Sequence, residues 1–171
     1  MLARSERTVR AYKPRPRPVK RAAVLLVVVA LLAPGAAASA LVIQRSLAGI
    51  ELGMTQAQVR AHLGTPLRVV RSKNDFGPYT EFRYRHTTVG FQGDERVTDV
   101  ISTSTAERGP RGIGVGSTKA QVRAAVPGLK CEGPAPAGQC YVGRYVPGGR
   151  VTAFFFQAGK VYELVLGYVI D

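Results

Sequence analysis

Imidazole bases that could activate a nucleophile are scarce in this 171-residue chain. A serine or cysteine nucleophile needs a base beside it, and the chain offers two imidazoles, His62 and His86. His62 falls near the end of a predicted helix and His86 at the end of a predicted strand, so neither is placed as a general base. We therefore predict no catalytic residue and a protein that is not an enzyme.

Acidic residues give the alternative to that prediction. Asp94 and Glu95 are adjacent, but they lie in a predicted turn, where carboxylates are usually solvated. Glu81 or Asp99, each on a predicted strand, could serve as a catalytic acid, and a pair of carboxylates would form only if folding brings distant acids together. Hydrolysis of cell-envelope material by such acids is the alternative function.

Metal and cofactor sites are not predicted. The segment Gly112 to Thr118 resembles a phosphate-binding glycine loop in front of a helix, but it lacks the lysine of a P-loop. Cys131 and Cys140 stand nine positions apart, too far for a C-x-x-C redox pair, and a zinc site would need two more ligands. The pair lies in a Gly/Pro-rich stretch, and together with the N-terminal residues that predict export it predicts a structural disulfide.

Export is predicted from the N-terminus. Residues 1–21 form a basic, proline-rich region of eight Lys or Arg and one acid, which would remain in the cytoplasm. Residues 22–43 then read as an apolar signal segment, with small residues at Ala38 and Ala40 that fit a peptidase site before Leu41. If it is not cleaved, the same 22 residues could anchor the protein in the cytoplasmic membrane. The protein is thus expected outside the cytoplasm, either secreted or anchored.

The charge of the chain does not indicate nucleic-acid binding. Of the formal net charge of +13, more than half belongs to residues 1–21. The remaining excess suits a protein partner or an anionic component of the envelope, and nucleic acid is not expected.

An internal repeat organises the rest of the chain. Gly49 to Ala61 recurs 63 positions later as Gly112 to Ala124, with nine of thirteen residues identical. In both copies a T-x-x-Q capping box is predicted to open a short helix. The four residues of these two boxes are Thr55, Gln58, Thr118 and Gln121. The repeat predicts two tandem α+β units, residues 44–104 and 112–171, joined by a linker at 105–111.

Strand patterns follow each helix. Residues 80–86 alternate aromatic with charged side chains, and hairpins are predicted for residues 89–101 and for three strands between Tyr141 and Val169. The predicted fold class is therefore α+β, with short helices on a three- to four-stranded antiparallel sheet in each unit. Phe154 to Phe156 must point to both faces of a strand, so that Phe155 is available to a partner or to the other unit.

The phrase Gly53-Met54-Thr55-Gln56-Ala57-Gln58-Val59, its weaker second copy at residues 116–122 and the cysteine loop resemble two related groups of proteins. These are the small BamE/SmpA-like envelope proteins and the tandem-repeat β-lactamase inhibitory proteins (BLIP). The resemblance implies a repeated helix–helix–sheet unit. In the inhibitors the joined sheets form a concave face that grips the target, and in the envelope group the unit helps outer-membrane assembly.

The resemblance and the missing catalytic groups together predict a non-catalytic binding or envelope-assembly scaffold. Its binding surface would be one face of the sheet, and a membrane-tethered structural domain without a ligand is a further alternative. We predict that Arg83, Arg85 and Arg144 line this wet face together with Phe155.

Overall fold

The computed structural model describes residues 41–93, 95–133 and 138–170, all of which belong to one compact unit. The predicted cytoplasmic region 1–21 and most of the predicted signal or anchor segment 22–43 lie outside these residues. No helix within the described ranges is long and apolar enough to cross a membrane.

The fold is α+β and is dominated by strands. Two α-helices are present, α1 (Gln56–Leu63) and α2 (Lys119–Ala125), together with a 3-10 turn at Pro110–Gly112. The ten strands are β1 (Ser46–Leu47), β2 (Ile50–Glu51), β3 (Arg68–Asn74), β4 (Gly77–Arg83), β5 (Thr87–Gln92), β6 (Asp99–Ser102), β7 (Lys130–Glu132), β8 (Gly138–Gly143), β9 (Arg150–Gln157) and β10 (Lys160–Tyr168).

One antiparallel sheet runs through both halves of the chain, in the order β3-β4-β5-β6-β10-β9-β8-β7. Each half contributes four consecutive strands, and β6 pairs with β10 at the centre. Strands β1 and β2 form a separate hairpin before α1. The two short helices and the dominant antiparallel sheet confirm the predicted α+β class, and the strands of both halves of the chain join into a single sheet.

Both capping boxes are confirmed. The Thr55 hydroxyl accepts a hydrogen bond from the Gln58 backbone N–H at 3.3 Å, and the Gln58 side chain accepts one from the Thr55 N–H at 2.8 Å. Thr118 and Gln121 make the same two bonds at 3.3 and 2.8 Å. Each box satisfies two backbone donors that a helix N-terminus otherwise leaves unpaired. The repeated phrase therefore starts a helix in the same way twice.

The main core lies between the helices and one face of the sheet. Val59 of α1 and Val122 of α2 are fully buried there, because the short helices turn one side onto the sheet. The sheet supplies alternate residues to this core, among them Phe82, Phe91, Val100, Phe154, Leu164 and Leu166, each 0 % exposed.

The N-terminal boundary of the folded part lies earlier than predicted. Leu41 is 2 % exposed in the core, its N–H donates to the Arg108 carbonyl at 3.0 Å, and Ile43 packs on the same core. The last three residues of the predicted segment 22–43 thus belong to the folded unit. The predicted linker 105–111 is packed as well, since it carries the buried Glu107 and the carbonyl of Arg108 that holds Leu41.

Candidate functional site: the open face of the sheet

The sheet face opposite the helices is the candidate site, and we call it the open face. Phe154 and Phe156 point into the main core, whereas Phe155 lies on the other side of β9 and is half-buried. This alternation follows from the two-residue period of a strand and agrees with the prediction for the three phenylalanines. Phe155 therefore belongs to a surface that the main core does not use.

An apolar patch occupies the half of the open face contributed by β8, β9 and β10. Tyr141, Val151 and Ala153 are at most 6 % exposed, and Phe155, Val165 and Val169 pack against them as a second hydrophobic cluster. No residue of this cluster comes from a described helix. Six residues thus form the apolar patch: Tyr141, Val151, Ala153, Phe155, Val165 and Val169.

One exposed aromatic residue extends the apolar patch into solvent. Tyr145 is 50 % exposed, and its ring lies tilted against the ring of Tyr141 with the centroids 4.7 Å apart. On the other side, Ile101 of β6 lies directly opposite Val165 and is only half-buried. Partly exposed aromatic and branched side chains in one area are typical of a surface that becomes covered on binding.

The hydroxyl of Tyr141 is fixed in orientation. It donates a hydrogen bond to Glu132 Oε1 at 3.0 Å across β7 and β8. This bond raises the pKa of Tyr141, and burial adds to the shift. The ring is thereby held in place, which gives the apolar patch a fixed shape on the β8 side.

A row of glycines and carboxylates crosses the open face from β4 to β10. Glu81 lies opposite Gly90, Gly90 opposite Asp99, and Asp99 opposite Gly167 on four neighbouring strands. A Cβ at Gly90 would collide with the Asp99 carboxylate, so the missing side chain leaves the space that the carboxylate fills. We call these four residues the acidic row.

Three residues of the acidic row, Glu81, Gly90 and Asp99, line a cavity of about 250 Å³ that also has Tyr79 and Gln92 among its walls. Burial raises the pKa of Asp99, and the nearby Glu81 carboxylate raises it further, while a hydrogen bond from the Thr98 hydroxyl at 3.2 Å acts in the opposite direction. Glu163, further along the open face, also has a pKa raised by burial. Both carboxyl groups ionise less readily than free ones, because partial burial in the sheet disfavours their charged form.

The three predicted arginines do not form one cluster, because Arg144 lies far across the sheet from Arg83 and Arg85. Arg83 lies on the open face at the end of β4, where its guanidinium binds Glu81 Oε2 at 2.7 and 2.9 Å. Arg85 and Arg144 are exposed but lie beyond the ends of β4 and β8. Because five strand spacings of about 4.8 Å separate β4 from β8, roughly 24 Å lies between the ends of this predicted surface. Of the four predicted binding residues, Phe155 alone is in the apolar patch.

The structure also shows where the two cysteines and the two histidines lie. Cys131 and Cys140 lie directly opposite each other on β7 and β8 and form the predicted disulfide, with the Cα atoms 4.0 Å apart. Both histidines are exposed, His62 near the end of α1 and His86 in the turn after β4. Within the described ranges no group of three or more potential metal ligands occurs.

Sequence reasoning named Glu81 and Asp99 as candidate acids but missed their alignment with Gly90 and Gly167, and it missed the extent of the apolar patch. The signal for the acidic row was present, since Gly90 and Gly167 stand inside strand patterns, where glycine marks a close approach of another group. The apolar patch had a weaker signal, because Val165 and Val151 belong to continuous apolar runs that do not show which face is exposed.

No protein-family model matches the chain, and no curated protein matches it. Among solved structures, the chain is similar to an extracellular protein containing an SCP domain from Bacillus anthracis str. Ames, with 11 % sequence identity and a TM-score of 0.47. The likeness covers 68 % of this chain, which spans 44 % of that one. At this level the likeness says nothing about function.

Proposed function

We propose that this protein is a non-catalytic scaffold outside the cytoplasm that binds a protein or an envelope polymer through the open face of its sheet. The observation that carries the proposal is the apolar patch, a second hydrophobic cluster on the face away from the helices. Tyr141 and Phe155 of the patch, and Tyr145 beside it, belong to the aromatic residues that are enriched at protein interfaces. The patch favours a protein over a polyanion as the partner.

The architecture supports the further proposal of two tandem units like those of the BamE/SmpA-like and BLIP-like groups. Strands β3 to β6 and β7 to β10 follow one another in the same antiparallel order, and each set is preceded by a helix with the same capping box. The join between β6 and β10 places the two sets edge to edge. A surface of eight strands is wide enough to contact a folded partner.

The proposed location rests on the leader and the disulfide. Structural disulfides persist in oxidising compartments outside the cytoplasm, and the Cys131–Cys140 bond is of this kind. Secretion and membrane anchoring by residues 22–43 remain the two forms of the proposal. The mass of the N-terminal peptide of the exported protein tests them, since cleavage after Ala40 leaves Leu41 as the first residue.

A charge placed in the apolar patch tests the proposed binding face. Val165→Arg puts a guanidinium among half-buried apolar side chains, and Ala61→Arg puts the same group on the exposed side of α1 as the control. With both variants folded, as shown by circular dichroism, we expect Val165→Arg to lose partners from an envelope extract that wild type and Ala61→Arg retain. Equal recovery by all three proteins would overturn the proposed face.

The acidic row favours a second candidate function, hydrolysis of envelope material. Asp99 has a raised pKa in a cavity that it shares with Glu81, and such a pair suits general acid–base chemistry. Turnover of cell-wall or ester substrates that is lost in both Asp99→Asn and Glu81→Gln would establish this function. Inactivity of wild type across these substrates would eliminate it.

A further inference from the structure

The outer edge of β3 is a second surface that the open face does not include. Within the described ranges β3 pairs with β4 alone, whereas its other edge faces no strand. The strand has seven residues and contains no proline. An unpaired edge of this length presents backbone donors and acceptors on which another chain can form a strand.

The hydrogen bonds of β4 show which residues of β3 present these groups. Gly93 N–H donates to the Pro78 carbonyl and Tyr84 N–H to the Thr87 carbonyl, both at 2.8 Å. The even-numbered residues of β4 thus direct their backbone groups to β5, and the odd-numbered ones direct theirs to β3. In β3, the residues opposite the even-numbered residues of β4 are Val69, Arg71 and Lys73. Their backbone groups therefore point away from β4, to the unpaired edge of the sheet.

The charged residues of β3 are all basic, and the nearest acid in the chain, Asp75, follows in the turn after the strand. Arg68, Arg71 and Lys73 are exposed, and β3 contains no acidic residue. The opposite edge of the sheet is a poorer template, because β7 has only three residues and its Cys131 is tied to β8 by the disulfide. The two edges therefore differ in length, charge and freedom to pair.

Exposed apolar side chains flank the edge at both ends. Leu67, just before β3, is 77 % exposed, and Phe76, in the turn after it, is 52 % exposed. These are the two most exposed large apolar side chains in the described part of the chain. Together with the three cations they define an edge with apolar ends and a basic middle.

We propose that the β3 edge binds an extended acidic segment of another polypeptide by strand addition. The backbone groups of Val69, Arg71 and Lys73 form the ladder, and acidic side chains two residues apart in the segment meet Arg71 and Lys73. Leu67 and Phe76 contact apolar residues at the ends of the segment. This surface is separate from the apolar patch and does not depend on the proposed function.

Amide hydrogen exchange tests strand addition, with the protein as isolated after export. The probe is an acetylated and amidated octapeptide of alternating valine and glutamate, and its valine–lysine counterpart is the control. At a peptide concentration of about ten times the dissociation constant, we expect the amides of Arg71 and Lys73 to exchange about tenfold more slowly. We expect this slowing with the glutamate peptide only. No slowing, or equal slowing with the lysine peptide, would overturn the proposal.

Two further arms separate this proposal from simple polyanion binding and from the function of the open face. Dextran sulfate has no peptide groups, so the same slowing with it would show a polyanion site and overturn strand addition. In the doubly substituted Arg71→Glu, Lys73→Glu protein we expect the preference to reverse to the lysine peptide. Val165→Arg is expected to bind the glutamate peptide as wild type does, whatever its effect on partners of the apolar patch.

Discussion

The carboxylate of Asp99 occupies the space that a side chain on Gly90 would fill, directly across from it on the neighbouring strand. This relationship explains how an acid can be held half-buried on a sheet face, since the glycine provides room and the Thr98 hydroxyl provides one hydrogen bond. The acidic row follows from it, and so does the cavity between Glu81 and Asp99.

Substitution of Gly90 should be costly for a steric reason. Gly90→Ala places a methyl group against the Asp99 carboxylate, and we expect the free energy of unfolding to fall by about 1–3 kcal/mol, as for overpacked cores. The same substitution in an Asp99→Ala background should cost much less, because the opposing group is gone. Urea denaturation of wild type, the two single variants and the double variant measures the coupling between Gly90 and Asp99. Equal costs of Gly90→Ala in both backgrounds would contradict the contact.

The raised pKa of Asp99 predicts a defined pH dependence of stability. The folded state binds the proton more tightly than the unfolded state, so the contribution of Asp99 to stability decreases as pH rises from its unfolded pKa through its folded pKa. Asp99→Asn should therefore be more stable than wild type at pH 7, with the difference shrinking as pH falls towards 4. Thermal unfolding at several pH values measures this, and a difference that grows on acidification would refute it.

The two capping boxes should contribute similar amounts. We expect Thr55→Ala and Thr118→Ala each to lower the free energy of unfolding by about 1 kcal/mol, because each leaves a helix N–H without its hydroxyl acceptor. Thr55→Ser and Thr118→Ser retain the hydroxyl and are the controls. A loss below the error of denaturant titration in both alanine variants would show that the boxes do not support the helices.

The disulfide should stabilise the fold by closing a short loop. For a sequence separation of nine between Cys131 and Cys140, the chain-entropy model predicts a loss of about 2–3 kcal/mol in the double alanine variant. Denaturation of wild type with and without reductant, beside the variant, measures the loss. An unchanged denaturation midpoint after confirmed reduction would contradict a stabilising role.

The sequence predicted the elements with a strong local signal. The capping boxes determine their helix starts through two hydrogen bonds within four residues, and β4 shows its buried face through the alternation of Phe82 with Glu81 and Arg83. Edge strand β3 was not predicted, because its sequence is mostly polar and has no buried face to impose alternation. Local patterns were thus sufficient where one face of an element is clearly buried.

The candidate site was harder to predict because it depends on the order of strands in the sheet. Arg83 and Arg144 belong to similar positions of the two copies, yet the edge-to-edge join through β6 and β10 places β4 and β8 far apart. The same join brings Ile101 opposite Val165, a pairing that no local pattern shows. Phe155 was predicted correctly to leave the main core because it required only the period of one strand.

Paired substitutions on β9 separate the two faces of the sheet. Phe154 is fully buried among main-core residues, so Phe154→Ala should lower the free energy of unfolding by about 3–5 kcal/mol. Phe155→Ala removes a half-buried ring from the apolar patch and should cost clearly less. Denaturant titration of both variants measures this difference, and equal costs would show that the open face is packed like the main core.

The most direct test of the binding face is photo-crosslinking from single positions in the producing cell. A photoreactive phenylalanine analogue at Phe155 lies in the apolar patch, and the same analogue at Ala61 lies on exposed α1, beyond the other face of the sheet. We predict discrete crosslinked products from position 155, identified by mass spectrometry, that are absent from position 61. No product from position 155, or the same products from both positions, would contradict binding through the open face.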